Sequence, residues 1–294
     1  MIRTVRFVIA VVLAACTADD PPPAPASLPS TTACNGADAL CARRYDEVTY
    51  LVTHNGMSNA DEPWIAPNQD HPIRRQLTDG VRGLSIDVHE NPQSEADPLT
   101  CHGTCMAGSR LLVFLFDDVR TFLEAHPREV VTILYESVGV PDAEVGRTLQ
   151  KAGLDRYIYT QATDATWPTL GELIAANKRL VVFTQETPGA PGLIMPMWAY
   201  LWDNPYEAES TAEFSCAEGR GQAHAERIMS LNHFITAPLG GEYWAAQANT
   251  YAVLQEHVAR CHAQWKQWPT FLWVDWYATG DALAYVKDLN EKDR

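Results

Sequence analysis

The sequence predicts an α/β protein built as one single (β/α) TIM-type barrel. Short, nearly uninterrupted apolar runs such as Val130-Val131-Thr132-Ile133-Leu134-Tyr135 and Leu180-Val181-Val182-Phe183 read as strands buried on both faces, which is how parallel sheets read. Amphipathic stretches of helical period separate these runs, as parallel connections require. About 260 residues follow the N-terminal leader and spacer, enough to close such a sheet as one domain. A doubly wound open sheet is the competing architecture, but no glycine-rich phosphate fingerprint follows the first strand.

Apolar runs bounded by turn residues place the first strands at 47–54 and 82–88, followed by an extended piece at 99–102. Helical periodicity then gives a helix at 111–125, before a strand at 129–136. A helix at 142–152, a short helix at 170–176 and a strand at 179–184 come next, and 189–206 reads as a long loop rich in aromatics. The last part reads as a helix around 223–229, a strand at 231–236, a helix at 245–265, a strand at 270–275 and a helix at 281–289.

Residues 1–15 have the form of a lipoprotein signal peptide. Arg3 and Arg6 precede the apolar run Phe7 to Leu13, and Leu13-Ala14-Ala15-Cys16 matches a lipoprotein cleavage box. The run falls short of the ~20 apolar residues that span a bilayer. Cleavage would leave Cys16 as a lipidated N-terminus, and residues 16–31 form a Pro-rich linker able to hold the domain 32–294 off a membrane. The expected location is that of an exported bacterial lipoprotein in the cell envelope, at an outer membrane or cell surface and membrane-anchored through Cys16.

The other six cysteines, Cys34, Cys41, Cys101, Cys105, Cys216 and Cys261, are an even set, as suits an oxidising compartment. Pairing by proximity in sequence joins Cys34 to Cys41, Cys101 to Cys105 and Cys216 to Cys261, one of fifteen possible connectivities. Zinc on Cys101, His102 and Cys105 is the alternative for the middle pair, but a second ligand pair is lacking. The chain is acidic, with 22 Lys+Arg against 37 Asp+Glu and a net charge of -15. No basic stripe serves nucleic acid, and a phosphodiester substrate would need its charge met locally by a metal or a few cations.

In a β/α barrel the carboxyl ends of the strands face the active site. That rule selects His54, Asn55, Asp87, His89, His102, Glu136 and Asp275, all of them polar. Each alone could be an ordinary turn residue, and it is the set that points to acid/base chemistry.

Several short motifs follow one another along the chain: Thr53-His54-Asn55, Gly80-Val81-Arg82 leading to Ser85-Ile86-Asp87, Cys101-His102-Gly103, His126-Pro127-Arg128-Glu129-Val130-Val131 with Tyr135-Glu136, and Phe271-Leu272-Trp273-Val274-Asp275. Their order and spacing resemble the X region of phosphatidylinositol-specific phospholipase C and its bacterial relatives. The resemblance implies a phospholipase C-like phosphodiesterase barrel. It makes His54 the base that deprotonates the inositol 2-hydroxyl, His102 the acid that protonates the departing glycerol oxygen, and Asp275 the carboxylate that orients His54. His89 is a further candidate, either a phosphate-facing cation or a rim residue.

The resemblance also implies calcium (Ca2+) held by Asn55, Asp87 and Glu136, oxygen donors that suit this ion, although Ser85 stands where calcium-dependent members carry an acid. The implied substrate is a phospholipid or another phosphodiester. Thr184-Gln185-Glu186 replaces the lysines that hold extra ring phosphates in signalling members, so a polyphosphorylated headgroup is not expected. The aromatics of Met195-Pro196-Met197-Trp198-Ala199-Tyr200-Leu201-Trp202 could serve a sugar-like ring, a lipid surface or the core. Two other readings remain open. A glycerophosphodiester phosphodiesterase or sphingomyelinase D-like enzyme is disfavoured by Asn55 and Ser85, and a non-catalytic lipid- or glycan-binding lipoprotein is disfavoured by the presence of both His54 and His102. Oligomeric state is not legible.

Overall fold

A computed structural model describes residues 32–94, 97–185, 189–224, 226–236 and 241–292. The leader, Cys16, the Pro-rich linker and Glu186 lie outside the described residues. The chain first runs through β1 (Tyr50–Thr53), α1 (Ile73–Asp79), β2 (Gly83–His89), β3 (Leu99–Thr100) and β4 (Arg110–Leu111). Then follow α2 (Leu112–Ala125), β5 (Val131–Val138), α3 (Asp142–Lys151), β6 (Ile158–Tyr159), α4 (Leu170–Ala175), β7 (Leu180–Thr184) and β8 (Met195–Pro196). The remainder comprises α5 (Met197–Tyr200), β9 (Leu201–Asp203), β10 (Ile228–Asn232), α6 (Glu242–Ala248), α7 (Tyr251–Trp265), β11 (Phe271–Val274) and α8 (Ala282–Glu291).

The ladder runs β6-β7-β5-β2-β1-β11-β10-β9, and every neighbour pair in it is parallel. No ladder among the described residues joins β9 back to β6, β7 or β8, so the sheet curls as a half-barrel that stays open on that side. β3 and β4 fold back antiparallel from the end of β2.

Alternation along each strand divides the apolar side chains between two cores. Leu51, Ile133, Val182 and Leu272 point outward under the helices, whereas Tyr50, Leu134, Phe183 and Phe271 fill the inside of the curl. This explains the unbroken apolar runs in the sequence, since both faces are buried. Gly83 has no room for a side chain, because a Cβ there would meet Cγ2 of Val52 at 2.5 Å. Helix α2 buries Leu112, Leu115, Phe116, Val119, Phe122 and Leu123 as one stripe of helical period, and Pro127 follows soon after it ends. The Thr169/Glu172 capping box starts α4.

The sequence expectations need four corrections. The stretch read as a loop over 189–206 holds β8, α5 and β9, with Trp202 fully buried against Trp265 (4.8 Å between ring centroids). No helix forms around 223–229 among the described residues, and Ile228 to Asn232 enter the sheet as β10. The single helix expected at 245–265 is two, broken at Asn249, whose side-chain amide donates to the backbone carbonyls of Asp275 (2.8 Å), Trp276 and Thr279. Helix α1 has no counterpart among the expected elements. All three disulfides join the cysteines paired by proximity, so Cys101 and Cys105 are bonded to each other rather than to zinc.

Candidate active site

A cleft of about 350 Å³ opens at the carboxyl ends of the strands, lined in part by His54, Asn55, Ser85, Asp87, His102 and Glu136. Strand geometry explains why they meet. Ser85, Asp87 and His89 alternate with the outward-packed Leu84, Ile86 and Val88, and Glu136 is the register partner of Asp87 on the neighbouring strand. His54 and Asn55 leave β1 directly after Thr53. Asn55 takes a left-handed conformation (φ 48°), which Asn tolerates better than most residues.

His54 is held at several points. Its backbone N–H donates to Val274, its carbonyl accepts from Gln69 (2.6 Å), and its Nδ1 lies 2.9 Å from Oδ1 of Asp275. A carboxylate accepts only, so Nδ1 carries the proton and Nε2 presents a lone pair, which here faces the Asn55 amide nitrogen at 3.2 Å. His102 stands at the cleft mouth in the loop stapled by Cys101 and Cys105. Loss of solvent on its inward side and the nearby charge of His54 hold its imidazole below the ordinary range.

The carboxylate side of the cleft is short of donors. Asp87 accepts no side-chain hydrogen bond from the described residues, and burial, with Glu136 alongside, pushes its carboxyl up to about 7 against the opposing pull of His54. The oxygens of Asp87 and Glu136 and the buried amide of Asn55 form a hard, donor-poor set, so the residues present fit a calcium ion. Ser85, also buried in the cleft, offers a hydroxyl where a further acid would add charge.

His89 lies in the cleft too, with Nε2 buried and without a partner among the described residues. Burial lowers the pKa of its imidazole, against the opposing pull of Glu136.

The rest of the lining was not foreseen. Gln185, Tyr206, Arg220, Asn232, Phe234 and Trp273 belong to it. Arg220 is bound by Asp203 (3.0 and 2.6 Å), donates to Gln185, and lies against the rings of Trp198 and Tyr206 at 4.8 and 4.7 Å. Asp203 and Asn232 end strands, so the strand-end rule would have found them had β9 been recognised and the following strand been placed three residues earlier. Arg220 sits in irregular chain and leaves no local signal.

A half-barrel of parallel strands with imidazoles and carboxylates gathered at its carboxyl edge defines a phospholipase C-like barrel. The chain belongs to the PI-PLC X family, matching PI-PLC X 1 over residues 40–290. It is 26% identical over 289 residues to an uncharacterized secreted protein of Arthroderma benhamiae, covering 87% of this chain and 63% of the relative. It is 27% identical over 263 residues to the PI-PLC X domain-containing protein At5g67130 of Arabidopsis thaliana, covering 81% and 59%. The chain thus spans about three fifths of the length of these curated relatives. The phosphatidylinositol-specific phospholipase C of Listeria monocytogenes shares the fold, with a TM-score of 0.58 at 16% identity over 86% of this chain and 96% of that one. No helix among the described residues is long and apolar enough to cross a membrane.

Proposed function

We propose that the protein is a phosphoric diester hydrolase of the phospholipase C type that cleaves an inositol phospholipid by paired imidazole catalysis. The observation that carries this is His54, oriented by Asp275 at 2.9 Å, in the same cleft as His102. Nε2 of His54 takes the proton of the ring 2-hydroxyl as its oxygen attacks phosphorus. The bond from phosphorus to the glycerol oxygen breaks, and His102 delivers a proton to that oxygen. Asp275 stabilises the imidazolium formed at His54 and keeps the ring in the tautomer that frees Nε2. Asn55, Asp87 and Glu136 would hold calcium, which when bound supplies positive charge to the phosphate oxygens.

Arg220 is the only Lys or Arg among the described residues lining the cleft, and Asp203 already neutralises it. This supports a ring without additional phosphates. Ile65 and Met106 are 71% and 92% exposed, and the Ile65 N–H donates to the Ala107 carbonyl, so two loops present apolar side chains together next to the His102 loop. Such a rim suits a substrate embedded in lipid. The exported, Cys16-anchored location belongs to the same reading. The test is hydrolysis of phosphatidylinositol by the mature chain, with and without chelator, beside His54→Ala and His102→Ala. Loss of turnover in both variants is expected, turnover surviving both would overturn the mechanism, and indifference to chelator would remove calcium alone.

A further inference from the structure

The imidazole of His54 has a further constraint besides Asp275 and Asn55. Its ring is stacked on Phe234, with centroids 4.0 Å apart and planes 13° from parallel, while Trp273 stands 6.4 Å away at 48°. Hydrogen bonds at Nδ1 and Nε2 hold two atoms of the ring but leave its plane free to swing about the line between them. A face-to-face contact at van der Waals distance removes the swing, so the two together determine where Nε2 points. Phe234 is 5% exposed and itself lines the cleft.

Directly before Phe234 in the chain, outside the cleft, lies one member of a buried pair of histidines. His233, the preceding residue, is fully buried, and its backbone N–H donates to the carbonyl of Trp273 at 2.9 Å. Its ring contacts the Ala248 carbonyl through Nε2 (2.9 Å) and His257 Nδ1 through Nδ1 (2.8 Å). His257 reaches toward the Ser215 carbonyl at 3.3 Å, and Phe214 packs against both rings. Burial lowers His233 to about 4 and His257 to about 3, leaving the pair neutral at pH 7. Two ring protons then serve the two short contacts, with His233 Nε2–H donating to Ala248 and His257 Nδ1–H donating to His233. On the other side, Asn232 donates its backbone N–H and its side-chain amide to Asn204 at 2.6 Å each, and the Asn204 amide donates to the Asn232 carbonyl at 3.1 Å. Residues 232 and 233 are therefore clamped on both flanks directly before Phe234.

We propose that Phe234 is a positioning residue for His54, and that the buried His233–His257 pair is the anchor that keeps it against the imidazole. The proposal rests on the reading of His54 as base, and it adds a reason for an imidazole pair that the chemistry does not otherwise use. A ring free to tilt spends less time with Nε2 aimed at the hydroxyl, and misplacement on the ångström scale costs up to about 10²-fold in rate.

The test uses the mature chain carrying Phe234→Leu, Phe234→Tyr and His257→Gln, with thermal unfolding to show that each folds. Phe234→Leu is expected to lower kcat by about 10- to 100-fold with KM within about twofold. In NMR spectra of histidine-labelled protein, the His54 ring protons lose the upfield shift that a stacked phenyl imposes. Phe234→Tyr restores both kcat and shift, and His257→Gln moves the His54 signals the same way as Phe234→Leu, by less. An active wild type whose kcat and His54 signals ignore Phe234→Leu would overturn the role of Phe234. An inactive wild type whose His54 signals respond would instead overturn His54 as base, which separates the two failures.

Discussion

Replacing Asp275 by Asn removes one charge and little else. The backbone carbonyl of residue 275 still accepts from Asn249, and the side chain keeps its size, so the fold is retained. The wild-type Nδ1 to Oδ1 distance is 2.9 Å, and the two side chains are 25% and 10% exposed. At that partial burial an effective dielectric near 20 applies, and unit charges with centres ~4 Å apart attract by ~4 kcal/mol. Desolvation of Asp275 and the hydrogen bond that an Asn side chain still accepts reduce the net loss to about 2–4 kcal/mol of transition-state stabilisation. The expected fall in kcat/KM is therefore about 30- to 1000-fold. It should appear in kcat rather than KM, because the attraction grows only as His54 takes the proton. Initial rates on phosphatidylinositol dispersed in detergent, across a range of concentrations, measure both. Asp275→Asn within about threefold of wild type would refute the pairing of this carboxylate with a catalytic base.

Other outcomes follow from the same geometry. His102 must be protonated to act as acid, and its pKa is lowered, so activity should decline as pH rises through a value below 6.5; a pH–rate profile flat from 5 to 8 would exclude that role. The folded chain holds the Asp87 proton up to about 7 against 3.8 ordinarily, so stability should fall as pH rises between these values. Asp87→Asn should then raise the unfolding temperature at pH 8, by an effect of at most about 4 kcal/mol, leave it unchanged at pH 4, and abolish any stabilisation by added calcium. Reducing Cys216–Cys261, whose cysteines lie 45 residues apart, should cost about 4 kcal/mol of stability, whereas opening Cys101–Cys105, four apart, should impair turnover more than unfolding temperature. Calorimetry and rate measurements on the two paired Cys→Ser variants distinguish these effects.

The imidazoles and carboxylates of the cleft were legible because near-continuous apolar runs, buried on both faces, are conspicuous, and the rule that their carboxyl ends face the site is local. His54, Asp87, Glu136 and Asp275 each follow such a run or lie within it. The rest of the lining was not legible, for two reasons. β9 has three residues and is preceded by a four-residue helix, too short for any periodicity to register. Arg220 and Phe234 reach the cleft through irregular chain, where Asp203 binds Arg220 and where Asn204 and His257 bind the two residues before Phe234, all pairings between separate segments. The break at Asn249 was hidden for a similar reason, since the amide that interrupts the helix is engaged by carbonyls after β11.

Phosphorus NMR of the products formed from phosphatidylinositol tests the paired-imidazole mechanism most directly. Attack by the ring hydroxyl, with His54 as base and His102 as acid, predicts diacylglycerol together with a cyclic inositol phosphate, and neither from His54→Ala. Phosphatidic acid as the phosphorus-containing product, or a cyclic phosphate formed equally well by His54→Ala, would contradict it.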